Sequence, residues 1–551
     1  MNKYALLHIT DSRYSFAVSS NEIIIRLRAA KEDRNIKVFL IYGPKYEFQM
    51  RQMRVQMTAH YEDNLYKYYE KRLKLDDVRL AYIFEIEEDG KSYFYSEDGL
   101  TETYSYPEAF YNFFQMPYIN ENDRIETVEW MRGAVFYQIF VERFFMGNDN
   151  KDKSYINMSW GDIPTPKSFA GGDIRGIIKK LDHIKDLGVS AIYLTPVFLS
   201  ESNHKYDIED YFTVDPNFGT LDDLKELVEK AHENNIRIVM DAVFNHCSMK
   251  MKQFQDVLKK GKDSQYYNWF IIDGDYPDSD KLNYECFASC NYMPKLNTAN
   301  EDVQNFLLDV ALYWIKEADI DGWRLDVSDE VSHDFWRRFR KEVKSLKDDC
   351  VIIGENWHDA YSYLMGDQYD SIMNYAFTKA CLDYFARNNF TATEMAEKLN
   401  AVLMRNKTQV NDMMLNLLDS HDTHRFYTEL GKNKKRLLCA LALEAVFPGA
   451  MCIYYGTEIC MEGGYDPDSR RCFNWDESSW DMDFLNELKQ LIKLRDNSII
   501  KNGIVRIYSR DELLCVERRF EGKKIILKIN LSNEKKQGID TDSYMISEED
   551  M

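Results

Sequence analysis

GWRLDV at residues 322–327 decides the fold, because a short apolar run there stops on a carboxylate within a polar cluster. Three further segments repeat the pattern: DAVFNH at 241–246, IIGENW at 352–357 and LLDSHD at 417–422. An apolar strand that ends in Asp or Glu delivers an acid to the rim of a sheet, and a barrel of parallel strands gathers its catalytic groups at that rim. One such ending would be a weak sign. Four, separated by helical stretches, point to one mouth with several acids facing it.

Working outward, the chain from residue 135 alternates apolar runs with amphipathic helical patterns. AVFYQIFV, SAIYLTPVF, IRIVMDAVF, DGWRLDV, VIIGENW, DSIMNYAF, MMLNLLD and AMCIYYGTEI read as eight strands. IRGIIKKLDHIKDLG, LDDLKELVEKAHENN, VQNFLLDVALYWIKEA and SHDFWRRFRKEV read as helices between them. The fold class is therefore α/β, with a (β/α)8 TIM barrel over residues 126–496. The connection after the third strand, about 246–300, is long and lacks a simple helical period, so it reads as a small inserted domain on the catalytic face. Residues 1–125 carry short alternating runs such as EIIIRLRAA and LAYIFEIEE bounded by turn signals, and read as an N-terminal β-sandwich. Residues 497–551, with IVRIYS, LLCVERRF and KIILKINLS, read as a short C-terminal β-domain whose acidic end, TDSYMISEEDM, is expected to fray.

Charge and composition exclude several classes. The 551 residues hold 70 Lys and Arg against 92 Asp and Glu, a net charge of −22, which opposes a phosphate-tracking surface and excludes nucleic acid as a partner. The longest apolar stretch, residues 437–447, is interrupted by Glu444 and falls short of the roughly 18 residues of a membrane span, so it reads as a buried helix. No secretory h-region opens the sequence, and a cytoplasmic location is expected. Ten scattered cysteines form neither a dense framework nor CxxC pairs; reduced thiols are expected, with Cys247, Cys286 and Cys290 inert.

Converging acids without a Cys or His cage fit cleavage of a glycosidic bond, in which one carboxyl attacks or activates water and the other protonates the leaving oxygen. Arg324 lies two residues before Asp326, so on a strand both side chains face the same side, and the guanidinium is expected to lower the pKa of Asp326 and keep it anionic. Glu355 follows the apolar run VII and is expected to keep a proton to donate. Other residues carry a plainer reading beside the functional one. Asp241 reads as a support that pairs with Arg, Tyr206 and Trp357 could pack the rim or floor a sugar ring, and His246 and His421 could be core histidines or substrate contacts.

These residues also carry a resemblance. The sequence is similar to the α-amylase family, glycoside hydrolase family 13, over roughly residues 130–475. Within it, MPKLN at 293–297, NHKYDIEDYF, GWRLDVSDEVSHDFW and GENWHDA resemble the cyclomaltodextrinase, maltogenic amylase and neopullulanase subfamily. RLRAAKEDRNIKVFLIYGPKYEF resembles the starch-binding-type module at the front of those enzymes. The resemblance implies Asp326 as nucleophile, Glu355 as general acid/base and Asp422 as the third carboxylate. It further implies that Arg324, His246 and His421 contact the sugar, that Tyr206 is the platform beneath it, that Trp357 binds substrate, and that Asp241 and Asn245 order the site. A homodimer is implied too, with the N-terminal module reaching over the partner's active site.

Members of that family often bind calcium near the first barrel loop, and its ligands here would be Asn148, Asp152, Gly171 and Asp173. The run is MGNDNKD at 146–152, with Met146 and Lys151 where the pattern has asparagine. A lysine in that shell opposes a cation, so calcium is disfavoured and no cofactor is expected to be required. His424 stands where these enzymes often carry glutamate. The implied activity is retaining hydrolysis of α-1,4-glucosidic bonds in cyclomaltodextrins, maltodextrins and pullulan, with α-1,6 cleavage and transglycosylation as extensions. The alternatives are an exo-acting α-glucosidase and a catalytically silent glucan-binding protein.

Overall fold

A computed structural model describes residues 1–551. Its centre is a barrel of eight strands: β1 (Val135–Ile139), β2 (Ala191–Leu194), β3 (Arg237–Ala242), β4 (Gly322–Leu325), β5 (Val351–Gly354), β6 (Ser371–Ile372), β7 (Leu415–Leu417) and β8 (Ala450–Tyr454). They pair in the order β6-β5-β4-β3-β2-β1-β8-β7, every pair parallel. A parallel bridge between Met373 and Leu415 closes the ring. Helices cover the outside while side chains fill the inside, which is why these strands read as continuous apolar runs rather than alternating ones.

Two elements of the barrel differ from the sequence reading. DSIMNYAF reads as a full strand, but β6 keeps two residues, because the Asn374 side chain accepts the Phe377 N–H and starts helix Tyr375–Cys381. IRGIIKKLDHIKDLG reads as one helix, yet it breaks at Lys180 into Ile174–Lys179 and Leu181–Leu187. Elsewhere local chemistry and pattern agree. Helix Leu221–Glu233 opens on a capping box of Thr220 and Asp223, and Glu301–Ala318 opens on an Asn300 cap. Helix Lys434–Val446 is buried from Leu437 onward, and its Glu444, sunk in the core, accepts the Cys452 N–H at 3.0 Å. None of the helices is long and apolar enough to cross a membrane.

The N-terminal module packs two antiparallel sheets around Ile23, Ile25, Leu27, Val38, Leu40 and Phe84. Arg26 fastens it to the barrel, donating to Asn406 O and Thr408 Oγ1 at 3.1 Å each while Nε meets Glu70 at 2.7 Å. The segment after β3 contains helix Lys252–Lys260 and folds back through bridges His246–Lys295 and Phe270–Leu296. Four antiparallel strands from Ile504 close the chain. The acidic end does not fray: Ser543–Asp550 pairs with Lys523–Asn530 along its whole length. Charge explains the difference, since Glu548 lies 3.1 Å from Lys523 and Glu549 3.1 Å from Lys524 across the ladder.

Candidate active site

Strand register assembles the acids. Asp241 on β3 is paired with Arg324 on β4, and Arg324 in turn with Ile353 on β5. Asp326 and Glu355 are the first residues beyond β4 and β5, so both emerge at the same rim. Gly354 permits this, because a Cβ there would sit 2.6 Å from the Tyr369 ring. Arg324 Nη1 donates to Asp326 Oδ1 at 2.8 Å and to both Asp241 oxygens at 3.1 Å. Its Nη2 lies 3.0 Å from Glu355 Oε2 and 4.0 Å from Asp422 Oδ2, without the alignment of a hydrogen bond to either. One fully buried guanidinium thus stands among four carboxylates.

That crowding overturns one expectation. Arg324 does pull the Asp326 carboxyl down, but burial outweighs it, and the charges of Glu355, Asp241 and Asp422 add to burial; Asp326 is pushed well above the usual carboxylate range. Burial likewise pushes Asp241 up to about 6, against the pull of Arg324 and of hydrogen bonds from Tyr193 and Tyr206. Groups this close exchange protons as a set.

Each carboxylate is held differently. Asp241 accepts from Tyr193 OH at 2.7 Å and Tyr206 OH at 2.9 Å, a supporting position behind the other three. Glu355 has a donor at each oxygen: Val327 N to Oε2 at 2.9 Å and Trp357 Nε1 to Oε1 at 3.0 Å. Val327 reaches it from φ +43°, a left-handed conformation that is strained for a β-branched residue and belongs with sites where position matters more than local energy. Trp357 is 46% exposed and lies flat on Tyr375, with centroids 3.6 Å apart.

Burial pushes His246 down to about 3 and holds His421 well below its ordinary range. His246 Nε2 sits 4.0 Å from Asp326 Oδ2 and has no hydrogen-bond partner although buried, and its ring lies against Phe287. His421 meets Gln138 through Nδ1 at 2.6 Å; its Nε2 lies 2.6 Å from Tyr206 OH and 3.2 Å from Asp422 Oδ2. Asn245, fully buried, accepts from the Lys295 ammonium and orders the loop behind His246.

Asp326, Glu355, Asp422, Tyr206, His246 and Trp357 line one cavity of about 610 Å³. Asp241, Arg324, Asn245 and His421 stand behind that wall. Sequence reading missed Arg470, whose Nε donates to His421 O at 2.9 Å, whose Nη2 reaches Asp422 Oδ1 at 3.3 Å and whose Nη1 lies 3.0 Å from Asp466. The signal was the run GGYDPDSRR at 463–471, an acid-rich turn ending in two arginines on the loop after β8. Phe287 and Cys290 on the inserted segment, with Tyr465 beyond β8, complete the wall and carried no local signal.

The four residues named for calcium are all hydrogen-bonded within the chain. Asp173 caps helix Ile174–Lys179 and accepts the Gly147 and Asn148 N–H groups. Asp152 accepts from Ser154 N and Oγ at 2.8 Å each, Asn148 Oδ1 accepts from Asn150 N, and the Gly171 carbonyl is taken by Lys151 Nζ at 2.6 Å.

Comparison with known proteins agrees with this geometry. The model of the alpha amylase catalytic domain matches residues 138–510, and that of the alpha amylase N-terminal ig-like domain matches residues 1–120. A cyclomaltodextrinase of Thermoanaerobacter pseudethanolicus is 42% identical over 538 residues, covering 97% of this chain and 93% of the relative. Neopullulanase 2 of Thermoactinomyces vulgaris is 39% identical over 516 residues, 92% of this chain and 87% of that one. Among solved structures, a cyclomaltodextrinase superposes with a TM-score of 0.92 at 37% identity, covering 97% of this chain and 92% of its own. With an eight-stranded barrel, acids at the ends of β3, β4, β5 and β7, and both domain models matched in order, this chain belongs to the α-amylase family.

Proposed function

We propose that the chain is a retaining hydrolase of α-1,4-glucosidic bonds in cyclomaltodextrins, maltodextrins and pullulan, with α-1,6 cleavage and transglycosylation open to the same site. The observation that carries this reading is the single guanidinium of Arg324, bonded to Asp326 and 3.0 Å from Glu355, with both acids at one face of a 610 Å³ cavity. In the first displacement an Asp326 oxygen bonds to the anomeric carbon while Glu355 gives its proton to the departing glycosidic oxygen. In the second, Glu355 takes a proton from water, the water oxygen bonds to the same carbon, and Asp326 leaves as a carboxylate. His246 Nε2, buried without a partner, is free for a sugar hydroxyl, and Trp357 offers an aromatic face beside the acid.

Release of reducing sugar from β-cyclodextrin, pullulan and maltotriose tests the reading. Panose from pullulan, with activity abolished in Asp326→Ala and Glu355→Gln, is the expected result; glucose as sole product from every substrate would replace the reading with an exo-acting α-glucosidase. Binding of maltodextrin without turnover would leave only a glucan-binding protein.

The quaternary and cellular parts of the proposal rest on separate observations. The N-terminal module exposes Tyr46, Met50, Phe110 and Tyr111, each at least 74% exposed, an apolar surface suited to a second copy in a homodimer. Light scattering that returns a monomer, with cyclodextrin cleavage undiminished, would refute the dimer. Work in the cytoplasm on imported oligosaccharides is supported by a relative, 39% identical over 544 residues, named intracellular maltogenic amylase of Bacillus subtilis; activity found only in the medium would refute it.

A further inference from the structure

The loop after β1 is held by a charge of its own. Lys151 Nζ donates to Gly171 O at 2.6 Å and to Asn217 O at 3.0 Å, and it lies 3.0 Å from Asp173 Oδ2. Its side chain is 6% exposed and that of Asp173 1% exposed. Two carbonyls and one carboxylate, from the segment around Gly171–Asp173 and from the one that carries Asn217, therefore converge on a single buried positive charge. Such a set of hard oxygens is what a calcium ion recruits, except that calcium needs six to eight of them.

We propose that Lys151 is a built-in cation: its ammonium does the structural work of a bound metal at this position, which makes the fold independent of calcium. The observation goes beyond a missing ligand, because every oxygen a metal would share is already satisfied by the chain itself. Asp173 retains its other duties, closing the turn at Gly147 and Asn148 and capping helix Ile174–Lys179. The clamp also reaches toward the cavity. Residues 166–168, shortly before Gly171, accept from Asn203 Nδ2 at 3.0 and 2.8 Å, and Asn203 opens the loop that carries His204 and Tyr206.

Thermal melting and metal content of the full-length chain test the proposal. The wild type is expected to purify without stoichiometric calcium and to keep the same Tm in EDTA and in excess calcium chloride. Lys151→Met should melt several degrees lower in both buffers, since nothing replaces the charge. Lys151→Asp should melt lower still in EDTA, with two carboxylates facing two carbonyls, and should recover most of the loss when calcium is added. A wild type that loses Tm on chelation, or that binds one calcium per chain by isothermal titration, overturns the proposal. So does a Lys151→Met chain that melts with the wild type. Should neither variant fold, the wild-type melting and titration still decide the question.

Discussion

The two walls of the catalytic cavity are built on different principles. The wall formed by β3, β4 and β5 is over-determined: Arg324 is completely buried, contacts Asp241 and Asp326 directly, and stands within 3.0 Å of Glu355, which itself has a donor at each oxygen. The opposite wall is loosely held. Its Tyr465 is 64% exposed, and His424 Nδ1 comes no closer than 3.8 Å to its nearest acid, Glu429. On the proposed function, chemistry sits where strand register and burial leave no freedom, and recognition is left to loop side chains that can change without disturbing the barrel.

The sharpest way to break this contrast is to remove the guanidinium. Arg324→Met leaves Asp241 and Asp326 buried without their cation, and breaking a buried pair costs roughly 3–5 kcal/mol. Activity is expected to fall by about 10³-fold or more, as when a preorganised charge is lost from a catalytic site. Chemical denaturation alongside kcat checks both parts. A variant that keeps its stability and loses only affinity would show that the strand wall is not over-determined at all.

Asp241→Asn asks how far the acids titrate together. With its carboxyl at about 6, Asp241 places a burial penalty on the fold that is present above that pH and disappears as protons are taken up below it. Activity runs the other way, because the nucleophile must be ionised. Asparagine removes an anion that holds the Asp326 carboxyl up and frees Arg324 for Asp326, so the acid limb of kcat/KM should move to lower pH. Stability should meanwhile vary less between pH 4 and 6. An unmoved limb would mean that the carboxylates titrate separately. The expected cost in kcat at the optimum is about tenfold.

Legibility in the sequence followed the same division. Asp326, Glu355 and Asp241 were readable because a strand of four to six residues has one rim and a period of two, which fixes both where an acid emerges and which way it faces. Asp422 and His421 were readable through their place after β7. Phe287 was not, since it arrives on a long connection whose path depends on tertiary packing, and the run GGYDPDSRR shows its arginines without showing which acid Arg470 meets. β6 was over-read for a related reason: DSIMNYAF has the composition of a strand, but the cap made by Asn374 has priority. The acidic tail was under-read, because the lysines that pair it lie some twenty-five residues upstream.

Between the two walls stands Trp357, anchored at one end and open at the other. Trp357→Phe keeps an aromatic ring to lie on Tyr375 and removes only the indole donor to Glu355. An ordinary hydrogen bond is worth about 0.5–1.5 kcal/mol, so kcat should fall by up to roughly tenfold with KM little changed. Trp357→Ala should raise KM as well, and comparison of the two separates the tuning of the acid from the binding of sugar.

The smallest effect is expected on the loose wall itself, at His424. Its ring is close to half exposed and lies 5.6 Å from that of Tyr465, and nothing in the carboxylate cluster is bonded to it. His424→Ala should therefore leave Tm and the pH profile where they are, and change hydrolysis of maltotriose by no more than about threefold, the range of a weak exposed contact. What should change is the partition of the glycosyl-enzyme between water and sugar acceptors, read as the ratio of transfer products to glucose at high maltotriose. A shift in that ratio with an unchanged pH profile would place acceptor choice on side chains that the barrel does not constrain. A shifted acid limb would instead join His424 to the titrating cluster and erase the division between the walls.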